Sequence, residues 1–286
     1  MSTAITTSPS HHSQAYWDDR ADRFASRGAG LAAVCSYGMP WFYNGSIHLL
    51  QHLALRRWLR VASGTTVLEI GCGVGRWTRQ FARRGAIVTG IDLSRRMVLR
   101  ARQRAAAEQL SDRCRFLVAD ASAPALVGCF DVVFGVTVLQ HVLDAERFEA
   151  AVKSVAEHLA PGGRAILLEA APSQSTARCD SAVFVARDAR FYEEAFARAG
   201  LQCVDVTGVD PAPFKTWFLP RYRTLPKWIA WAGLAAITAA GFLPDLILGR
   251  RWVTASWHKV FVLSHAAQPS AADVDVVAPA REKRWP

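Results

Sequence analysis

The residues best placed to do chemistry are a run, Glu69-Ile70-Gly71-Cys72-Gly73-Val74-Gly75, and an acid further on, Asp92. An apolar segment that reads as a buried strand enters the run, and a helix-period segment leaves it. Bare backbone at the strand end, above a helix N-terminus, lets an adenosyl ligand approach without side-chain clash. Asp92 falls at the end of the next expected strand, where a carboxylate can accept hydrogen bonds from both hydroxyls of a ribose. Spacing removes two other nucleotide sites. The third glycine of a dinucleotide fingerprint would fall on Arg76 or Thr78, and the chain has no G-x-x-x-x-G-K-[ST] phosphate loop. A tight turn with no ligand is the plain structural alternative, and the acids Glu69 and Asp92 on either side of it argue against that reading.

Two further side chains are candidates for moving a proton. His141 follows the fourth expected strand at the carboxyl edge, where ligands bind in open parallel sheets, and it is the first candidate for a general base. Glu169, at the end of the fifth strand, is the second. His141 could equally cap or pack the helix after it. His48 and His52 lie four apart on an expected helix but lack a third ligand and the Glu of H-E-x-x-H, so no metal site is expected. His258, inside the last expected strand, reads as structural. The six cysteines form no C-x-x-C pair, which fits reduced thiols in the cytosol.

The elements that must carry these groups follow from periodicity. Short apolar runs at residues 66–70, 86–91, 114–119, 130–135, 164–170, 202–206 and 256–264 alternate with helix-period segments, which predicts a doubly wound, mostly parallel seven-stranded α/β sheet. Val74, Trp77, Thr78, Phe81 and Ala82 share one helical face, and Phe148, Val152, Val155 and Leu159 share another before Pro161-Gly162-Gly163. Ahead of the sheet, residues 15–25 and 45–61 read as helices, with the aromatic stretch 39–45 between them. The expected organisation is a disordered tail at 1–13, a helical lid at 14–62, a ligand-binding domain at 63–265 with an apolar insert at 211–252, and a second disordered tail at 266–286.

With these motifs in this order, the sequence resembles the class I, Rossmann-like methyltransferases that use S-adenosylmethionine (SAM). Val67 to Gly75 match the family's first motif, Gly90-Ile91-Asp92-Leu93-Ser94 its ribose-binding acid, and Val118-Ala119-Asp120-Ala121 its adenine-flanking acid. Phe130-Asp131-Val132-Val133 with Leu139-Gln140-His141-Val142 match its fourth-strand motif, and Leu159-Ala160-Pro161-Gly162-Gly163 its turn after the next helix. The resemblance implies that the backbone near Gly71 and Gly73 holds the methionine part of SAM, with Glu69, Cys72 and Gly75 also among the cofactor-binding residues. It implies further that Asp92 and Leu93 hold the ribose, that Asp120 and Ala121 flank adenine, and that Val136 lies near the sulfonium. Tyr16, in a leader similar to the family's N-terminal lid, would cap the cofactor.

Composition narrows the acceptor. At 51% hydrophobic and 20% charged the chain is an ordinary folded protein, and its net charge of +10 is spread along the sequence rather than gathered into a nucleic-acid footprint. The chain also lacks the [D/N/S]-P-P-[F/Y/W] run of enzymes that methylate amines of nucleic-acid bases. A small-molecule or amphipathic acceptor is therefore expected, with O-methylation favoured and RNA or protein acceptors as alternatives. A SAM-binding protein without catalysis is the other class in play. Residues 227–248 are apolar enough to span a bilayer, yet a span would pull the last strand from its sheet, so a hydrophobic lid or an interfacial helix touching a membrane is expected.

Overall fold

The computed structural model of the 286-residue chain describes residues 9–174, 183–211, 218–219, 221–222 and 224–266. Most of both expected tails, Cys179, Phe214 and Trp217 lie outside them. Three helices come first: α1 (Pro9–Phe24), α2 (Leu31–Val34) and α3 (Trp41–Leu55). Helix α1 begins earlier than the sequence suggests, so residues 9–13, expected in the tail, belong to it.

The sheet is built outward from β1 (Thr66–Ile70), which pairs in parallel with β2 (Ile87–Asp92) on one side and β4 (Phe130–Val136) on the other. Parallel β3 (Cys114–Val118) and β5 (Leu159–Ala170) extend the two sides, and β7 (His258–His265) joins β5 antiparallel, with β6 (Leu201–Gly208) beyond it. The order β3-β2-β1-β4-β5-β7-β6 reverses direction at β1, so the crevice at the end of β1 is the switch point where such sheets bind ligands.

Adjacent residues of the central strands bury on opposite faces. Leu68, Val133 and Leu167 pack under α6 (Ala145–Glu157) and α7 (Ala189–Arg198), whereas Val67, Val132 and Ile166 pack under α3 and α4 (Arg76–Ala82). Burial on both faces explains why these strands read as continuous apolar runs. Helix α5 (Arg95–Ala107) follows β2 with Ser94 as its N-cap, and the apolar α8 (Lys227–Leu248) precedes β7.

Strand β5 corrects one boundary. It starts at Leu159, opposite Phe130, and the register then shifts so that Arg164 meets Val132. Helix α6 therefore ends at Glu157, ahead of the glycine-rich segment expected to stop it; Leu159, expected on its face, begins the strand, and the glycines lie within that strand as an irregular excursion.

Glu169 corrects a role. Its side chain is fully buried, and its carboxylate accepts the backbone N–H groups of Val138 and Leu139 at 2.9 Å each and of Gln140 at 3.2 Å. These donors lie at the turn Leu139–His141, just beyond the end of β4, where the ladder stops supplying partners. Glu169 positions that turn and does not line the ligand cavity, so it is not a second base. Burial pushes its pKa up to about 7 despite the three donors. Glu169→Ala is expected to lower the unfolding free energy in urea by about 3 kcal/mol, because it strands three buried donors at once.

Candidate active site

The carboxyl edge of the sheet opens on a cavity of about 950 Å³. Gly71, Cys72, Gly73, Asp92, Leu93, Asp120, Ala121 and Val136 all line it, as do Glu69 and Tyr16. Gly71 has φ +61°, and a Cβ there would lie 2.5 Å from Val138 Cγ2, so only glycine leaves this stretch of backbone open. Gly75 does not line the cavity. A Cβ on it would sit 3.1 Å from Ala101 and Phe116, so it serves the packing of α5 and β3 against the turn, not the ligand.

Asp92 ties the turn to the next strand. Its Oδ2 accepts Gly73 N–H at 2.8 Å and its Oδ1 accepts Ser94 N–H at 2.9 Å, which leaves each oxygen a lone pair for a ribose hydroxyl. Burial outweighs these bonds and lifts its pKa to about 6. Glu69 is buried beneath the turn with Thr78 donating to it, and burial lifts its pKa to about 8. Asp120 is the opposite case. Burial works against its charge, but Ser122 donates through N–H and Oγ–H at 2.9 and 2.7 Å and Arg147 pairs with the other oxygen, so its carboxyl sits below the ordinary range.

The N-terminal helices close this side. Asp18 Oδ1 accepts Ser94 Oγ–H at 2.5 Å and Arg96 N–H at 3.0 Å, which pins α1 to the start of α5. Arg20 on α1 and Arg76 at the start of α4 both line the cavity, both are buried, and both keep Nε without a partner among the described residues. Stacking holds Arg20 in place, 4.9 Å from the Trp17 ring and 5.4 Å from Tyr37. Sequence reasoning missed both arginines, because a lone Arg in a leader or on a helix carries no motif.

These residues fit SAM. Open glycine backbone, a ribose-facing acid with free lone pairs, and buried cations for an amino-acid carboxylate match the three parts of that molecule.

His141 lines the cavity too, in a fixed state. Gln140 Oε1 accepts Ala170 N–H at 2.9 Å, so its amide nitrogen faces His141 Nε2 at 3.3 Å and donates to it. The ring proton is then on Nδ1, donated to Val183 O at 2.5 Å. Burial, with Arg20 adding to it, pushes the pKa of His141 down to about 4. His48, which bonds Arg76 at 2.9 Å, is likewise pushed to about 4, chiefly by burial. No cluster of metal-ligating side chains occurs among the described residues.

A second histidine enters the cavity from an unexpected strand. Because β7 runs antiparallel, its first residue, His258, arrives at the same edge where β4 and β5 end, opposite Ala170. Asp210, two residues past β6, accepts His258 N–H at 2.8 Å and meets Nδ1 at 2.7 Å. Tyr43 also lines this region, and burial together with Asp210 and Asp245 holds its hydroxyl well above the ordinary phenol range. The pair was hidden in the sequence because the insert separates its members by 48 positions.

A family model described as a methyltransferase domain matches residues 67–163. A ubiquinone biosynthesis O-methyltransferase of Xanthomonas axonopodis pv. citri is 30% identical over 185 residues, covering 59% of this chain and 76% of that one. The chain belongs to the class I SAM-dependent methyltransferases. The ubiquinone/menaquinone biosynthesis C-methyltransferase UbiE of Cereibacter sphaeroides is 33% identical over 129 residues, which span 44% of this chain and half the length of that relative. The fold is shared with the magnesium protoporphyrin IX methyltransferase of Synechocystis PCC 6803, solved with bound SAM, at a TM-score of 0.57, 21% identity and coverage of 72% and 93% of the two chains.

For this methyltransferase-family site, SAM binding is expected to follow the ionisation of Asp92. With a raised pKa, Asp92 is ionised above about pH 6 and protonated below it. Calorimetric SAM affinity should therefore fall as pH drops through that value. Asp92→Ala should weaken binding by roughly ten- to a hundredfold at pH 7.5, as loss of hydrogen bonds to a charged group implies, and should flatten the pH profile.

Proposed function

We propose that this chain transfers the SAM methyl group to a hydroxyl oxygen on a small, largely apolar acceptor, with His258 as general base. The observation that carries this reading is that His258, held by Asp210, lines the same cavity as the glycine turn. Beta-strand spacing supports the fit: His258 on β7 lies two strands from Val136 on β4, about 10 Å, which is room for one or two rings between base and cofactor.

When bound, SAM supplies a methyl group already activated on a sulfonium. The protein's work is to hold donor and acceptor in line and to take a proton. Gly71, Gly73 and Asp92 hold the cofactor, and Val136 and Val138 close the floor beneath its reacting end. Trp77, Ile47 and Phe184 give the rest of the cavity apolar walls that exclude water. Asp210 holds the His258 imidazole with its proton on Nδ1, so Nε2 presents a lone pair to the acceptor hydroxyl, and the carboxylate supplies the countercharge once that proton is taken. This revises the expectation that His141 is the base. An imidazole with a pKa near 4 has too little hold on a proton at neutral pH, and its Nε2 is already engaged by Gln140. The O-methyltransferase among the relatives supports a hydroxyl acceptor.

The test is conversion of SAM to S-adenosylhomocysteine with hydroxylated aromatic acceptors. His258→Asn should lower kcat by about 10²- to 10⁴-fold with SAM affinity retained, as expected for loss of a general base, whereas His141→Asn should cost far less. Near-normal turnover in a folded His258→Asn protein would return that pair to a purely structural role. A product methylated on carbon or nitrogen would overturn the hydroxyl assignment.

A further inference from the structure

Helix α8 is turned inside out relative to an ordinary surface helix. Its buried positions are Ala230, Leu234, Thr238, Gly241 and Asp245, spaced three or four apart along one stripe. The stripe thus holds Thr238 and Asp245, the only polar side chains between Lys227 and Leu248. The opposite face, with Trp228, Trp231, Ala235, Ala239, Leu243 and Ile247, is exposed and apolar along its whole length. A soluble helix reverses this arrangement, and an apolar face left open to water marks a contact with something apolar.

We propose that this face, with the start of α3, docks on an anionic membrane surface. Three observations select that occupant. First, the patch continues onto α3 through aromatic residues: Trp41 is 80% exposed, its ring lies 5.9 Å from Phe42, and Phe42 lies 5.8 Å from Trp231. Indole rings at the margin of an apolar strip suit the headgroup layer, where one edge is wet and the other apolar. Second, exposed cations stand at both ends, Lys227 as the first residue of the helix and Arg250 with Arg251 after it, and the exposed Trp252 follows them. Basic ends on an apolar helix attract acidic headgroups while the strip between them meets the acyl boundary. Third, the helix is held along its length. Leu234 packs with Tyr43 of α3, and at the C-terminal end Gly249 fits so closely that an added Cβ would lie 2.7 Å from Val209 O, next to the end of β6. A helix tied to the domain at this packing stripe and at its end lies in the plane of the surface and does not cross it.

Docking would also set the orientation of the cavity. Tyr43 and Ile47 of α3 line the cavity on one side and belong to the cluster beneath α8 on the other. The bilayer would therefore stand one helix away from the acceptor region. That consequence rests on the function proposed above, whereas docking itself does not.

The test is flotation of the full chain with vesicles of phosphatidylcholine alone and of an equimolar mixture with phosphatidylglycerol, with SAM binding measured in parallel as a check of folding. The wild-type chain should float with the mixed vesicles, more weakly with neutral ones, and less at high salt. Trp228→Ser combined with Trp231→Ser should reduce the floated fraction by about tenfold, as removal of two buried interfacial anchors implies, with SAM binding kept. Lys227→Gln with Arg250→Gln and Arg251→Gln should abolish the preference for the acidic lipid. A chain that floats with neither vesicle overturns docking, and a dimer dissolved by the same tryptophan substitutions would assign the face to a second copy. Resistance to alkaline extraction would overturn the in-plane arrangement in favour of a span. Each outcome is separate from turnover, so failure here leaves the proposed reaction standing.

Discussion

Where parallel strands end, their backbone N–H groups lose ladder partners in a place that must also exclude water, and this site meets that constraint with buried acceptor side chains. Asp92 takes the N–H groups of Gly73 and Ser94. Glu169 takes three beyond β4, Gln140 Oε1 takes that of Ala170, and Asp210 takes that of His258. The geometry of the cavity follows from these bonds. Each fixes a turn, and each turn presents the next group inward: the glycine cradle, His141 and His258 in order along the edge. Burial at this edge raises the pKa of Asp92 and Glu169, so the residues that organise the backbone are also the ones whose charge is least secure.

Much of this was legible because it is local. The cradle, Asp92 and the alternation of strand and helix depend on neighbours within one βαβ unit, and the sheet forms where the apolar runs lie, with small shifts of boundary. What was not legible depends on pairing across the chain. Glu169 reads as a strand-end acid facing a ligand, and only the direction of its side chain shows that it serves the turn beyond β4. His258 reads as a structural residue because its site depends on β7 running antiparallel and on Asp210 lying beyond an insert. Arg20 and Arg76 gain meaning from burial, which no spacing in the sequence announces.

The two sides of the cavity are held by different means. On the cofactor side, α1 is tied to the N-cap of α5 through Asp18, and arginine–aromatic stacking carries the lid residues. On the side proposed for the acceptor, apolar packing of α3 and α8 does the holding. Polar, directional contacts therefore surround the glycine cradle, and adaptable apolar contacts surround the region proposed for the acceptor. That division matches what each half must recognise: a defined set of ribose and amino-acid groups, or a shape.

The Asp210–His258 contact has a topological meaning apart from proton transfer. It joins the residue where the chain leaves the sheet to the residue where it returns, so it is the neck of the whole excursion that carries α8. Because closing a longer loop costs only slowly more entropy, such a neck allows the excursion to lengthen, shorten or change character with little effect on the sheet beneath. The end of the protein proposed above to take the acceptor is in that sense an exchangeable cassette, clipped at its base by Asp210 and by the His258 that faces the cavity.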